Sequence, residues 1–284
     1  MTLRLFGAGG AFSRRYGTTC SMLTLRSGER WLIDCGRQAP DQLHGAGIAW
    51  HDITGQIITH VHGDHVYGLE DFAFIRYFES RGADLATSLG GSRPKMVAHS
   101  AVLAEVWETL APSLRYLNDG QGNLQSGTLR HFFDVIDAAA AEPPHGNPWH
   151  HSEHFVTGAL DVVCRESMHV PSKPSCSLEF RIDSNADDRI AWWSGDCTVD
   201  PDLLIALEPR TTVFFHDCTF VDYPGQVHGF FDKLEALPDR VRQKMVLMHH
   251  EDNLELNRPR VEAAGFRIAM PGQIYDLVAG ERLS

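Results

Sequence analysis

The chain has 284 residues, 43% of them hydrophobic, with 25 basic and 37 acidic side chains and a formal net charge of −12. That length suits one large domain or two small ones, and the apolar share belongs to a globular protein rather than a disordered one. No uninterrupted apolar run approaches the roughly 20 residues of a membrane span, and an acidic total tilts away from gripping long nucleic acid by its phosphates.

In chain order, the N-terminus MTLRLFGAGGAF lacks the pattern of a signal peptide, so a cytoplasmic protein is expected. Leu3, Leu5 and Phe6 open a strand that runs into Gly7-Ala8-Gly9-Gly10. The glycines suit a tight turn or a phosphate cradle. No P-loop lysine and serine follow, which argues against a nucleotide-binding loop. Alternating runs at Ser21–Leu25 and Trp31–Asp34 flank Ser27-Gly28-Glu29 and predict a β-hairpin, closed by Asp34-Cys35-Gly36. Residues 41–52 predict a short helix and loop. Ile57 and Ile58 then predict a buried strand leading into Thr59–His65, THVHGDH.

This stretch packs His60, His62, Asp64 and His65 into six residues. His60 and His62 are two apart, so in an extended segment they point to one side. Gly63 permits a sharp turn, after which Asp64 and His65 can serve a second point in space. Neutral imidazole and carboxylate suit zinc, and two-metal hydrolases hold their centres about 3.5–4 Å apart. The competing reading is a set of surface histidines in a His-rich chain.

Beyond the motif, Leu69, Phe72, Ala73, Phe74 and Phe78 predict a helix buried on one broad face. Tyr67 and Glu70 are close enough in sequence to reach a substrate, or simply pack or face solvent. Residues 82–93 read as a Gly/Ser-rich loop, Lys95–His99 as a strand, Val102–Leu110 as a helix and Gly120–Gly127 as a loop. Residues 137–154 hold a proline pair and four histidines, His145, His150, His151 and His154. They read as a loop insertion, with a lid over the site or an arm to a partner subunit as alternatives. The chain then echoes itself: Pro174–Phe180 parallels Thr18–Thr24, and each copy leads through an apolar strand to Asp-Cys, at Asp34-Cys35 and Asp196-Cys197. Two similar halves suggest a sandwich with metals at its seam. The six scattered cysteines form no CxxC pair, against both a disulfide framework and a thiolate zinc site.

Two metals need more donors than one motif supplies. His169 sits in SMHVPSKPS, where the following Val-Pro stiffens the loop. Asp196 in WWSGDC follows an apolar strand and a glycine, and can bridge both metals with one oxygen to each. Lys244–Glu251, KMVLMHHE, reads as a strand that ends in two histidines.

THVHGDH resembles the metal-binding signature of the metallo-β-lactamase superfamily, and the resemblance runs through nearly the whole chain. It is closest to the phosphodiesterase branch, which holds ribonuclease Z and the small cyclic-nucleotide phosphodiesterases of the anti-Pycsar type. The resemblance implies an α/β fold, the αββα sandwich of two mixed β-sheets flanked by helices, as one domain over residues 1–284. It implies two zinc ions per chain, with manganese as the alternative, and a homodimer. The first metal would take His60, His62, His169 and Asp196, and the second Asp64, His65, Asp196 and His249, with His250 as the fallback. Asp34 would support the ligands from behind.

Phe214–Phe220, FFHDCTF, resembles the HEATF motif of ribonuclease Z. Asp217 matches its acidic residue, and His216 would stand near the site without binding metal. His228 in QVHGFF occupies the place of a histidine that donates a proton to the leaving group. This chain departs from the pattern in having Asp for Glu and His-Gly for His-Ser-Thr. Asp64, Asp217 and His228 are thus the expected catalytic groups. The implied activity is hydrolysis of a small phosphodiester, foremost a 3′,5′-cyclic nucleotide. The chain has no long Gly/Pro/Lys-rich arm like that of ribonuclease Z, and Gly127–Phe133, GTLRHFF, resembles a stretch of the small phosphodiesterases. The runner-up is tRNA 3′ processing, followed by a thioesterase or lactonase, which the HDCTF–His228 pairing opposes, and then by a non-enzymatic nucleotide sensor.

Overall fold

The structure is a computed structural model that describes residues 1–79, 93–118, 122–141, 151–182 and 188–284. In the first half, β1 (Thr2–Gly7), β2 (Cys20–Thr24) and β3 (Arg30–Ile33) pair antiparallel. β4 (Gly55–Ile58) and β5 (Lys95–Ala98) continue that sheet in parallel. A small antiparallel pair follows, β6 (Tyr116–Asn118) with β7 (Leu124–Ser126), and β8 (Asp134–Val135) then joins β5.

The second half repeats the plan. β9 (Ala140–Ala141), β10 (Ser152–Thr157), β11 (Leu160–Glu166), β12 (Cys176–Arg181) and β13 (Ile190–Trp193) are antiparallel neighbours. β14 (Thr211–Asp217), β15 (Met245–Met248) and β16 (Arg267–Ile268) extend it in parallel. β17 (Ile274–Asp276) and β18 (Glu281–Arg282) return to the outer side of β1, which completes two eight-stranded sheets.

Side-chain alternation sets the layers. Trp31, Ile33, Ile57, Trp193 and Phe215 point between the sheets and form one core. Their neighbours Leu32 and Ile58 face outward beneath helices α1 (Ala39–Gly45), α2 (Gly63–Val66), α3 (Leu69–Glu79), α4 (Ser100–Leu114) and α5 (Leu129–Phe132). Trp192 and Phe214 face outward on the other sheet, under α6 (Pro201–Leu207), α7 (Phe231–Glu235), α8 (Asp239–Arg242) and α9 (Leu254–Ala263). The expected αββα sandwich is therefore present. All six cysteines are free and buried, so the core carries the stability, at about 1.5–3 kcal/mol for each large apolar side chain removed from water. Among the described residues no helix is long and apolar enough to cross a membrane.

Several expectations need correction. The stretch 137–154 is not loop throughout, because Ala140–Ala141 and Ser152–Thr157 are strands of the second sheet. Residues 142–150 lie outside the described residues, and the lid and arm readings lie there with them. The loop expected at 82–93 is also largely outside. Leu124–Ser126, expected as part of a loop, pairs with Tyr116–Asn118. Phe78 is exposed rather than on the buried face of its helix; Glu70 faces solvent, one of its expected placements, and accepts a hydrogen bond from Ser113 Oγ at 3.0 Å.

Candidate metal centre

The parallel strands end on one edge, and the chain turns there into the site. β4 delivers Thr59 and His60, and His62 is the extended residue that caps α2. Asp64 and His65 lie on the single turn of α2 and so project to the other side of that cap. The turn sits tight on the preceding strand: a Cβ added at Gly36 would lie 1.8 Å from the Asp64 carbonyl oxygen. From the second sheet come Asp196 after β13, Asp217 at the end of β14 and His249 after β15. His169 comes from the loop between β11 and β12.

Two donor sets result. In the first, His62 Nδ1 lies 3.1 Å from His60 Nε2 and 3.2 Å from His169 Nε2. Asp196 Oδ2 lies 3.7 Å from His60 Nε2 and 4.0 Å from His169 Nε2. In the second, Asp64 Oδ2 is 3.2 Å from His65 Nε2 and 3.4 Å from His249 Nε2. Asp196 Oδ2 is 3.4 Å from His65 Nε2 and 3.2 Å from His249 Nε2. A zinc ion with bonds of about 2.1 Å places its tetrahedral donors about 3.4 Å apart. The second set fits that spacing throughout, the first fits it among its histidines with Asp196 farther off at 3.7 and 4.0 Å, and each could hold a metal ion. The two sets share one oxygen, Asp196 Oδ2, where the sequence suggested one oxygen for each.

The structure separates His249 from His250. His249 takes a left-handed backbone, φ 56°, which turns its ring into the site. His250 instead bonds the Ala269 carbonyl through Nε2 at 3.0 Å and packs edge-on against Tyr16. Left-handed geometry is uncommon for a residue with a Cβ and recurs at functional sites.

The charges also suit cation binding. Burial, then the charge of His65, holds His60 well below the usual histidine range. Burial, then His169, pulls His62 down to about 4, and burial lowers His169. These imidazoles are neutral near pH 7, as ligands must be. Burial would raise Asp64, but His65 and His249 outweigh it and keep Asp64 ionised. Asp196 is likewise held low against burial, by His249 and His65 first.

Beside the two sets, His228 Nδ1 donates to Asp217 Oδ2 at 2.9 Å and lies 3.8 Å from Asp196 Oδ2. Burial pulls His228 down, but the Asp217 bond and charge outweigh it and raise it to about 9. Asp217 is held low against burial by the hydrogen bonds of His216 and His228. His216 is buried, with Nδ1 2.8 Å from the Asp217 carbonyl and 3.1 Å from Asp217 Oδ1. Asp34 is buried behind the second set and accepts a bond from His65 Nδ1 at 2.8 Å. Tyr67 is exposed.

Sequence reasoning assigned no role to Thr59 or Val227. Thr59 Oγ1 lies 2.8 Å from Asp34 Oδ2 and 3.1 Å from His60 Nδ1. The Val227 carbonyl accepts from His169 Nδ1 at 3.0 Å. The only signal for Thr59 was its place directly before His60. A backbone carbonyl leaves no signal at all.

A family model described as "Anti-Pycsar protein Apyc1" matches residues 1–275. The chain belongs to the anti-Pycsar Apyc1 family. A family member from Paenibacillus harenae, the anti-Pycsar protein Apyc1, is 30% identical over 98% of this chain and 100% of its own. Among solved structures, the metallo-β-lactamase fold protein YhfI from Bacillus subtilis superposes with a TM-score of 0.66 at 15% identity, covering 96% of this chain and 98% of that one. Human tRNase Z, short form, superposes with a TM-score of 0.64 at 18% identity, over 98% and 99%. These likenesses place the Apyc1-family chain in the metallo-β-lactamase fold. It is a metal-dependent hydrolase.

Proposed function

We propose that this chain hydrolyses 3′,5′-cyclic nucleotides at a centre of two zinc ions. His60, His62 and His169 would hold one ion, Asp64, His65 and His249 the other, and Asp196 would bridge them. The observation that carries the reading is the placement of a proton-holding group, His228 on Asp217, 3.8 Å from the oxygen shared by both donor sets. When bound, the two cations lower the pKa of a shared water and neutralise charge on the phosphate.

The side chains do the rest. Asp196 Oδ2 fixes the spacing of the two donor sets. Asp64 remains ionised and presents Oδ2 beside the Nε2 atoms of His65 and His249, as a fellow donor of the second set. Asp217 keeps His228 Nδ1 protonated and leaves the other ring nitrogen for the departing ribose oxygen, a role worth about 10²–10⁴-fold. His216 holds Asp217 in turn.

The net charge of −12 favours a small, singly charged substrate over tRNA. A homodimer working in the cytoplasm completes the reading, and sedimentation at the mass of two chains would support the first part. The test is a substrate panel on metal-replete protein: 3′,5′-cyclic nucleotides, a precursor tRNA and a thioester, with Asp196→Ala as control. Cyclic-nucleotide turnover that vanishes in the control, with a KM barely sensitive to salt, is expected. Clean tRNA cleavage with steep salt dependence, and silence on cyclic nucleotides, would overturn the reading.

A further inference from the structure

We propose that Thr59 is a positioning residue, whose hydroxyl ties His60 of the first donor set to the carboxylate that also orients His65 of the second. The inference rests on the proposal that both sets hold metal.

Asp34 is fully buried and accepts three hydrogen bonds. Oδ1 takes the Thr59 backbone N–H at 2.9 Å, and Oδ2 takes both the Thr59 hydroxyl and His65 Nδ1, each at 2.8 Å. A hydroxyl has one proton. Thr59 spends it on the carboxylate, so its oxygen is an acceptor towards His60 Nδ1, 3.1 Å away. His60 Nδ1 therefore carries the hydrogen, and the lone pair of Nε2 faces His62 Nδ1 and Asp196 Oδ2. The same carboxylate fixes the tautomer of His65, whose Nε2 faces Asp64 and Asp196. One anion thus aims a ligand at each metal, directly for His65 and through a hydroxyl for His60. Asp34 holds this place in a left-handed backbone, φ 60°.

The two routes predict different losses. Removing a hydrogen-bond partner behind a metal-binding histidine weakens metal about 10–100-fold. Thr59→Val keeps shape and removes the hydroxyl, so it should weaken one zinc of two by that factor and leave the other at parental affinity. Asp34→Asn has one acceptor oxygen for three donors, so its amide NH2 must face either the Thr59 N–H or the Thr59 hydroxyl and His65 Nδ1; it disturbs the whole arrangement and should weaken both. Thr59→Ser keeps the hydroxyl and should restore parental binding.

The experiment is zinc titration of each full-length variant against a chromophoric chelator, with no substrate present. Loss at one site in Thr59→Val and at both in Asp34→Asn, with rescue by serine, supports the relay. Parental affinity at both sites in Thr59→Val overturns it, as does equal weakening in Thr59→Ser, which would make the role one of packing. Should Thr59→Val not fold, the serine variant decides alone. Failure of the parent to bind two zinc ions would instead count against the metal assignment, and failure to turn over cyclic nucleotides against the substrate alone.

Discussion

At the residue scale, the site is a matter of which atom each side chain presents. His62 turns Nδ1 inward while His60, His65, His169 and His249 turn Nε2 inward. The family resemblance named His169 and His249, and the motif spacing announced His60, His62 and His65, because an extended pair followed by one helical turn has few ways to arrange them. The spacing did not distinguish His249 from His250, since a left-handed φ at His249 decides that and no residue type there demands it. We expect His249→Ala to lower zinc content from two ions to one per chain. His250→Ala should leave metal content unchanged and lower only the melting temperature. Elemental analysis and a melting curve check both.

The pH profile belongs to this scale too. As the proposed proton donor His228 would act in its protonated form, so activity should be lost as pH rises through its pKa. Asp217 raises that pKa to about 9 against burial. Asp217→Asn removes the hydrogen bond to a carboxylate and the charge that oppose burial most, so the basic limb of kcat should move to lower pH. Cations held at Asp196 would pull His228 down in both proteins, so the comparison is between variant and parent. An unmoved limb would separate His228 from the titration.

At the element scale, the internal echo in the sequence became two matching sheets, antiparallel then parallel in each half. The match also explains why two similar Asp-Cys pairs have different tasks. The left-handed residue after the last antiparallel strand of each half is Asp34 in one and Gly195 in the other. Asp34 thereby points back beneath the motif, while Asp196, one residue beyond the glycine, reaches the centre. Strand β10 was hidden because SEHFVT has little apolar alternation. It is held by pairing with the apolar β11 and by His154 Nε2 on Asp161 at 2.7 Å. The close seat of α2 on Gly36 gives a further prediction. Gly36→Ala would push its Cβ into the Asp64 backbone, so it should weaken zinc binding more than it lowers the melting temperature of the metal-free protein. Chelator competition and melting curves on the two forms separate these effects.

At the scale of the whole molecule, the metals would join two halves that each supply part of both donor sets. His60, His62, Asp64 and His65 come from the first sheet's edge, and His169, Asp196 and His249 from the second. Removing metal leaves buried carboxylates without cations and unlinks the seam. A ligand present at 100 times its Kd stabilises the state it binds by about 2.7 kcal/mol. Chelation should therefore lower the melting temperature, and zinc should restore it.

In the proposed reaction, hydrolysis of the phosphodiester would draw its proton from His228. The most direct measurement is the turnover of a 3′,5′-cyclic nucleotide by His228→Ala and by the parent, with zinc content determined on the same samples. A fall in kcat of about 10²–10⁴-fold with both zinc ions retained is the predicted result. Unchanged turnover, or loss of zinc along with activity, would contradict it.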